Sequence, residues 1–345
     1  MPDKFELVEK MLGRYKEVTM EILQPIFDAK EQPRRYLYDL IPSYPKRGGK
    51  GLRPALCIAS CRVFGGSTHS AVKSAAAIEL FHNAFLIHDD IEDGSEFRRG
   101  RPTLNAEFGL PIAVNVGDAL NVLSIGPLMG NRETIGPNLT WEVLTEVNHM
   151  VRQSVEGQAL ELGWVRDNVC DLTEQDYLRM TLKKTCWYTC IHPCRIGALI
   201  GSGGSLGLDR FNRFGYFMGA AFQIQDDVLN LIGEHEKYGK EIEGDIWEGK
   251  RTLMLIRLLN NCSSDEKAKI VDFLSTPRSD RSVAKVEWVF DLMKKYDCIE
   301  YARESARQLA REALKEFSNA YGDAPDSEDK QFIHQIVEYM IEREL

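Results

Sequence analysis

The stretch Asp89-Asp90-Ile91-Glu92-Asp93 puts four carboxylates into five residues, directly after the apolar run Ala75 to Ile87. Hard oxygen donors gathered in this way suit Mg²⁺, which keeps much of its water and bridges one or two carboxylates to substrate phosphates. Asp89 and Asp93 stand one helical turn apart and share a face, with Asp90 beside them. A second stretch repeats the device. Phe222-Gln223-Ile224-Gln225-Asp226-Asp227-Val228-Leu229-Asn230 delivers Asp226, Asp227 and Asn230 at the same i, i+1, i+4 spacing, with Gly233 following. Two such helix ends facing one another would form a cage for several metal ions and one polyanion.

The elements that must hold these acids are helices. The run before Asp89 has no proline, and Ile78, Phe81, Phe85 and Leu86 recur at helical spacing until Gly94 stops the pattern. Acids at a helix C-terminus oppose the macrodipole and repel each other, so nearby cations are expected to offset them. The thirteen prolines leave long empty windows, from Ala55 to Arg101, Asn138 to His192, Cys194 to Thr276 and Arg278 to Ala324. Those windows are rich in helix formers and poor in period-2 alternation, which predicts an all-α fold. No linker or repeat divides the chain, so residues 1–345 are expected to form one domain. Its chemistry would lie within about 45–255, with packing helices over 256–345. Residues 1–40 are expected to form an amphipathic helix interrupted at Pro25 and Pro33.

Candidate cations surround both acidic stretches. Pro45-Lys46-Arg47-Gly48-Gly49-Lys50-Gly51-Leu52-Arg53-Pro54 precedes an apolar helix expected to begin near Ala55, and its amides and cations could converge on an anion. His82 lies two turns before Asp89 on the same face. Arg98, Arg99 and Arg101 follow within about ten residues of the acids, with the fork geometry that matches phosphate. Gly157-Gln158 and Glu161 sit inside one apolar helix, and Lys183-Lys184-Thr185 opens another. The Gly- and Lys-rich segment Lys237 to Thr252, including Lys240 and Lys250, is expected to bring cations to the second cluster.

Several other chemistries are excluded. The net charge of −9, with acids and bases interspersed, leaves no broad basic surface for nucleic acid. Cys186, Cys190 and Cys194 near His192 read as a buried helical stripe, since no CxxC pair accompanies them. Gly244 to Lys250 starts like a phosphate-binding loop, but Arg251 stands where Ser or Thr is needed and no strand precedes it. Asp89 to Gly94 starts like a calcium loop, but Ile91 occupies a ligand position and Gly100 the twelfth place. The N-terminus lacks a basic segment followed by an apolar core, and no uninterrupted run approaches a membrane span. With eight cysteines read as reduced thiols, the expected location is cytoplasmic.

Taken together, from about Gly48 to Thr252, these stretches resemble the trans-isoprenyl diphosphate synthases. The resemblance is carried by Asp89-Asp90-x-x-Asp93 with Arg98-Arg99-Gly100 behind it, and by Phe222-Gln223-x-x-Asp226-Asp227 with Gly239-Lys240 and Asp245. The segment Gly49 to Pro54, His82, Gly157-Gln158 and Lys184-Thr185 fall in family order. It implies a helical barrel around a deep cavity, usually in a homodimer, and condensation of isopentenyl diphosphate with an allylic diphosphate. Asp89, Asp90, Asp93, Asp226 and Asp227 would hold Mg²⁺, three ions in all, on the allylic diphosphate, with Arg98, Lys184 and Lys240 as further anchors. Lys50, Arg53, His82 and Arg99 would bind isopentenyl diphosphate, and Thr185 and Gln223 would line the reacting carbons. Asn230 takes an acidic place of the pattern, and Glu161 stands where Asp is common.

In this family, bulk beneath the first aspartates sets product length. Phe85 lies one turn below Asp89, Ala84 beside it is small, and Phe81 another turn down is a candidate floor. That combination favours geranylgeranyl diphosphate, with farnesyl diphosphate next. A class I terpene cyclase would have no use for a second diphosphate site, and a non-catalytic partner subunit would be expected to lose one of the acidic motifs.

Overall fold

A computed structural model describes residues 4–233 and 243–342. The chain opens with α1 (Glu6–Phe27), which continues through Pro25, where the sequence suggested an interruption, and ends two residues later. A π-helical turn at Arg34–Tyr38 follows Pro33, and the short α2 (Ser43–Lys46) leads to the glycine-rich loop. The next helix, α3 (Leu52–Val63), begins three residues earlier than expected, since Gly51 supplies the left-handed N-cap at φ 65°. Ser67 and Ser70 form a capping box for α4 (Thr68–Glu92), whose Ala-rich body is buried along most of its length and ends at Gly94, φ 65°. The strands β1 (Phe97–Arg98) and β2 (Arg101–Pro102) then form a minimal antiparallel hairpin. Its turn carries Arg99 and Gly100 at positive φ.

Helices α5 (Leu104–Phe108), α6 (Leu110–Leu123), α7 (Ile125–Ile135) and the 30-residue α8 (Pro137–Arg166) follow. After α9 (Glu174–Thr181) the chain runs as a π-helix over Leu182–Ile191 and then as α10 (His192–Gly201). The long α11 (Arg210–Ile232) carries the second acidic stretch. Beyond the described break come α12 (Gly244–Glu248), α13 (Leu253–Asn261), α14 (Ser264–Ser275), α15 (Val283–Lys295), α16 (Cys298–Tyr321) and α17 (Glu328–Glu342). Helices α3, α4, α8, α9 and α11 and the π-helix surround a central cavity. The wider π-helical winding was not expected from sequence, where Cys186, Cys190 and Cys194 suggested ordinary α spacing; all three cysteines are buried, as a structural stripe requires.

Two large apolar cores flank the cavity. One joins α1, α3, α4, α8, α10, α11, α17 and the C-terminal half of α16, with Phe211, Phe214 and Tyr321 fully buried; the other packs α13 to α15 and the start of α16 against α9 and the end of α11. The stretch Leu110–Ile135 is long and apolar enough, by length and composition alone, to cross a membrane, a test that core helices also pass. Counting uninterrupted apolar residues missed it because Asn115, Asp118 and Asn121 interrupt a strongly apolar average. Ser124 divides the stretch into α6 and α7, whose outer faces expose Leu110, Val122, Ile125 and Met129.

Candidate active site

A cavity of about 1020 Å³ runs between the two acidic helix ends and the glycine-rich loop. At one end stand Asp89 and Glu92 from α4, Asp226 and Asp227 from α11, and Asp245 from α12. The cations expected to offset the end of α4 are present. Lys184 Nζ lies 3.3 Å from Asp89 and also grips Glu161, while Lys250 Nζ lies 2.6 Å from Asp93 and 2.7 Å from Glu248. Burial by itself lowers an ammonium pKa, but the facing carboxylates overcome it and hold both lysines raised and charged.

Lys184 reaches this position through a close helix contact. A Cβ at Gly157 of α8 would lie 2.2 Å from the Lys184 backbone nitrogen, so only glycine lets α8 meet the π-helix here. Lys184 is thereby set between α8, which offers Glu161, and α4. Gln158, one residue after that contact, donates to Glu92 at 2.7 Å. The adjacent Thr185 donates to Gln223 Oε1 at 2.7 Å, and Gln223 Nε2 donates to Asp227 at 2.7 Å. Tyr177 donates to the other Asp227 oxygen at 2.7 Å. Burial pushes Asp93 and Asp227 up to about 7, against the opposing pull of Lys250 on the first and of the Gln223 and Tyr177 hydrogen bonds on the second.

Asp90 is turned away from this end. Its side chain is fully buried, accepts from Arg98 Nε at 2.7 Å on both oxygens and from the Tyr44 hydroxyl, and does not line the cavity. Adjacent helical residues point about 100° apart, so Asp89 and Asp90 do not face one site. The sequence grouped Asp90 with Asp89 as a metal ligand; here its oxygens are engaged by Arg98 and Tyr44. Arg98 is likewise committed: it is 6% exposed, clamped on Asp90, and reaches Asp89 at 3.5 Å. Asn230 is buried and its side-chain oxygen accepts from the Asp245 backbone N–H at 3.0 Å, so it anchors α12. Lys250 serves the first cluster through Asp93 and stands 3.8 Å from Asp245 of the second, where the sequence placed it with the second alone. Lys240 lies outside the described residues.

A second group of residues lining the cavity has different electrostatics. Lys50, Arg53, His82 and Arg99 belong to it, the set that the family resemblance implied, joined by Arg47, which the sequence reading quoted without assigning a role. Arg53 Nη1 donates to His82 Nε2 at 3.2 Å, which leaves the proton of the neutral ring on Nδ1; burial and the neighbouring arginines hold this imidazole well below its usual pKa. That Nδ1, Arg53 Nε, and Arg47 Nε and Nη1 are buried without hydrogen-bond partners. Four donors lacking acceptors around one cavity describe a site for an anion. One acid, Glu79, lies among them, and burial raises its pKa.

The apolar part of the wall is formed by Phe85, Leu86, Val151, Val155, Leu162, Tyr188 and Phe222. Phe85 meets Tyr188 edge-on at 5.5 Å. Phe81 is buried in the core and Ala84 packs with Ala113, Val116 and Leu120 of α6, so neither lines the cavity. Tyr177 and Tyr188 escaped the sequence reading because an aromatic on an apolar helix carries no signal of the face it presents.

The profile of the polyprenyl synthetase family matches residues 34–293. The chain belongs to that family. Its members are prenyltransferases, and so is this protein. It is 31% identical to a short chain isoprenyl diphosphate synthase of Methanothermobacter thermautotrophicus, over 94% of this chain and 98% of that protein. It is 32% identical to a geranylgeranyl diphosphate synthase of Saccharolobus solfataricus, over 78% of this chain and 84% of that one. The crystal structure of a geranylgeranyl pyrophosphate synthetase from Pyrococcus horikoshii superimposes with a TM-score of 0.84 at 30% identity, covering 98% of this chain and 99% of that chain.

Proposed function

We propose that this polyprenyl synthetase joins isopentenyl diphosphate to an allylic diphosphate in a Mg²⁺-dependent 1′-4 condensation, with geranylgeranyl diphosphate as product. The observation that carries the reading is one cavity with two unlike polar groups. One polar group is rich in carboxylates, the other in donors without acceptors, and apolar side chains line the same cavity. Among the described residues no three acids converge closely enough to enclose a cation by themselves. That fits Mg²⁺, whose sphere is completed by water and substrate phosphate. Asp89, Asp226 and Asp227, with Asp93 behind them, are the residues that would hold it. Bound there, it would stabilise the charge developing on the departing diphosphate.

This chain's side chains then divide the work. Lys184 presents a fixed ammonium beside Asp89, at the allylic diphosphate. Arg47, Lys50, Arg53, His82 and Arg99 hold the second diphosphate. Thr185 and the Gln223 carbonyl, joined at 2.7 Å, lie where the reacting carbons meet. The allylic C1–O bond breaks, the isopentenyl double bond attacks C1, and a proton leaves for the released diphosphate. Phe85, Tyr188 and Phe222 keep water from the allylic cation meanwhile. We assign residues 1–345 to one synthase domain working in the cytoplasm, in keeping with eight free cysteines. A second copy is assigned to the apolar face of α6 to α8, where Val122, Met129 and Trp141 are 65%, 65% and 72% exposed.

Purified protein incubated with Mg²⁺, isopentenyl diphosphate and, separately, dimethylallyl, geranyl and farnesyl diphosphates should yield one linear twenty-carbon diphosphate. A fifteen-carbon end product would overturn the chain-length assignment. Cyclic hydrocarbon, or no turnover with any primer, would overturn the condensation.

A further inference from the structure

The cations of the cavity fall into two sets by what holds them. Arg98, Lys184 and Lys250 are each locked to carboxylates, which position them but also cancel most of their charge. Lys50 and Arg53 are held differently. The Arg53 guanidinium lies 4.4 Å from the Tyr188 ring centre and donates to the Tyr188 and Thr189 hydroxyls at 2.9 Å, with no carboxylate in ion-pair range among the described residues. The Lys50 ammonium lies 4.6 Å from the ring centre of Tyr339. It forms no ion pair with a described residue.

Tyr339 comes from α17, almost three hundred residues further along the chain. It is buried, meets Phe5 edge-on at 5.2 Å, and lines the cavity together with Met340. Lys4 pairs with Glu342 at 2.6 Å and Glu338 at 3.5 Å, clasping the end of α17 onto the start of α1. Lys50 itself sits in a loop whose Gly48, Gly49 and Gly51 all have positive φ. A lysine on such a backbone loses substantial rotamer entropy when it is fixed. An aromatic face can fix it and, being uncharged, leaves its field intact for an incoming anion.

We infer that Tyr339 is a positioning residue for the second diphosphate site: its ring holds Lys50 over the cavity, with no carboxylate partner among the described residues, so that the C-terminal helix completes the site that α3 and α4 begin. This rests on the reading of Lys50 as an isopentenyl diphosphate anchor. The ligand class is a diphosphate taken without metal.

The test compares Tyr339→Leu, which removes the ring and keeps apolar bulk, with Tyr339→Phe, which keeps the ring. Loss of one cation–π contact should raise KM for isopentenyl diphosphate about three- to tenfold in Tyr339→Leu, with little effect on KM for the allylic diphosphate. Tyr339→Phe should restore it. In a Lys50→Ala background, Tyr339→Leu should add nothing further. Calorimetric titration with inorganic pyrophosphate in EDTA reads the same site without turnover, and Tyr339→Leu should weaken that binding by a similar factor. Equal KM values in both variants and wild type would overturn the inference. So would parallel losses in both KM values, kcat and Tm, or pyrophosphate binding that appears only with Mg²⁺. Absence of condensation product in the wild type would sink the enzymatic reading alone, because the pyrophosphate titration would still report on Tyr339.

Discussion

Replacing Asp90 by Ala should damage the fold rather than metal binding. Asp90 is completely buried and accepts from both Arg98 and Tyr44, and Arg98 is itself 6% exposed. Removing the acid strands a guanidinium away from water, and breaking a buried pair from one side costs roughly 3–5 kcal/mol. With an unfolding entropy of about 2.1 cal/mol/K per residue, a chain of this length would lose ~4–7 °C in Tm. Asp89→Ala is the control: Asp89 is partly exposed and its partner Lys184 keeps Glu161, so the loss should stay near or below about 1 kcal/mol. The double variant Asp90→Leu/Arg98→Met removes both charges together and should recover most of the stability, because a buried ion pair contributes little net stability over apolar replacements. Urea titrations give the midpoints, and wild type, Asp90→Leu, Arg98→Met and their double variant together give the coupling between positions 90 and 98. The Mg²⁺ concentration for half-maximal turnover should rise far more in Asp89→Asn than in Asp90→Asn. An Asp90→Ala protein as stable as wild type, with its Mg²⁺ requirement raised as much as in Asp89→Ala, would refute this placement.

Other expectations follow from the same geometry. Phe85→Ala should lengthen the product, read by mass, because Phe85 stands in the cavity wall; Ala84→Phe should instead overpack the α4–α6 contact and cost about 1–3 kcal/mol, seen in the urea midpoint. Gly157→Ala places a methyl group against the Lys184 backbone, so α8 and the π-helix must separate, and kcat should fall along with Tm. Asp93 and Asp227 have folded pKa values raised to about 7, above the unfolded value near 3.8. Their contribution to stability is therefore full below pH ~4 and disappears as pH rises through about 7. In EDTA the two groups should make Tm fall between pH 5 and 8. Mg²⁺ should restore most at the alkaline end, and calorimetry at pH 6.5 in buffers of different ionisation enthalpy should show protons released on Mg²⁺ binding.

The sequence by itself determined the helical fold and the two acidic stretches, because these rest on local spacing; the cationic set came from the family resemblance. A proline-free apolar run with acids at its end reads as a helix pointing at a site, whatever packs around it. Lys50, Arg53, His82 and Arg99 were legible as a set only through the family resemblance, since His82 lies mid-helix and the others in separate segments. What only the tertiary structure decided is which way each side chain faces and what it meets. Asp89 and Asp90 are neighbours with identical chemistry, yet the partners from α2 and the β1–β2 hairpin draw Asp90 into a buried pair and leave Asp89 to the cavity. Ala84 and Phe85 divide in the same way between α6 and the cavity. Lys250 meets Asp93 across 157 residues, and Tyr339 meets Lys50 from the far end of the chain. Such pairs leave no trace in local periodicity: helix formation needs only contacts three and four residues apart, whereas the electrostatics of the site depend on charges that folding alone brings together.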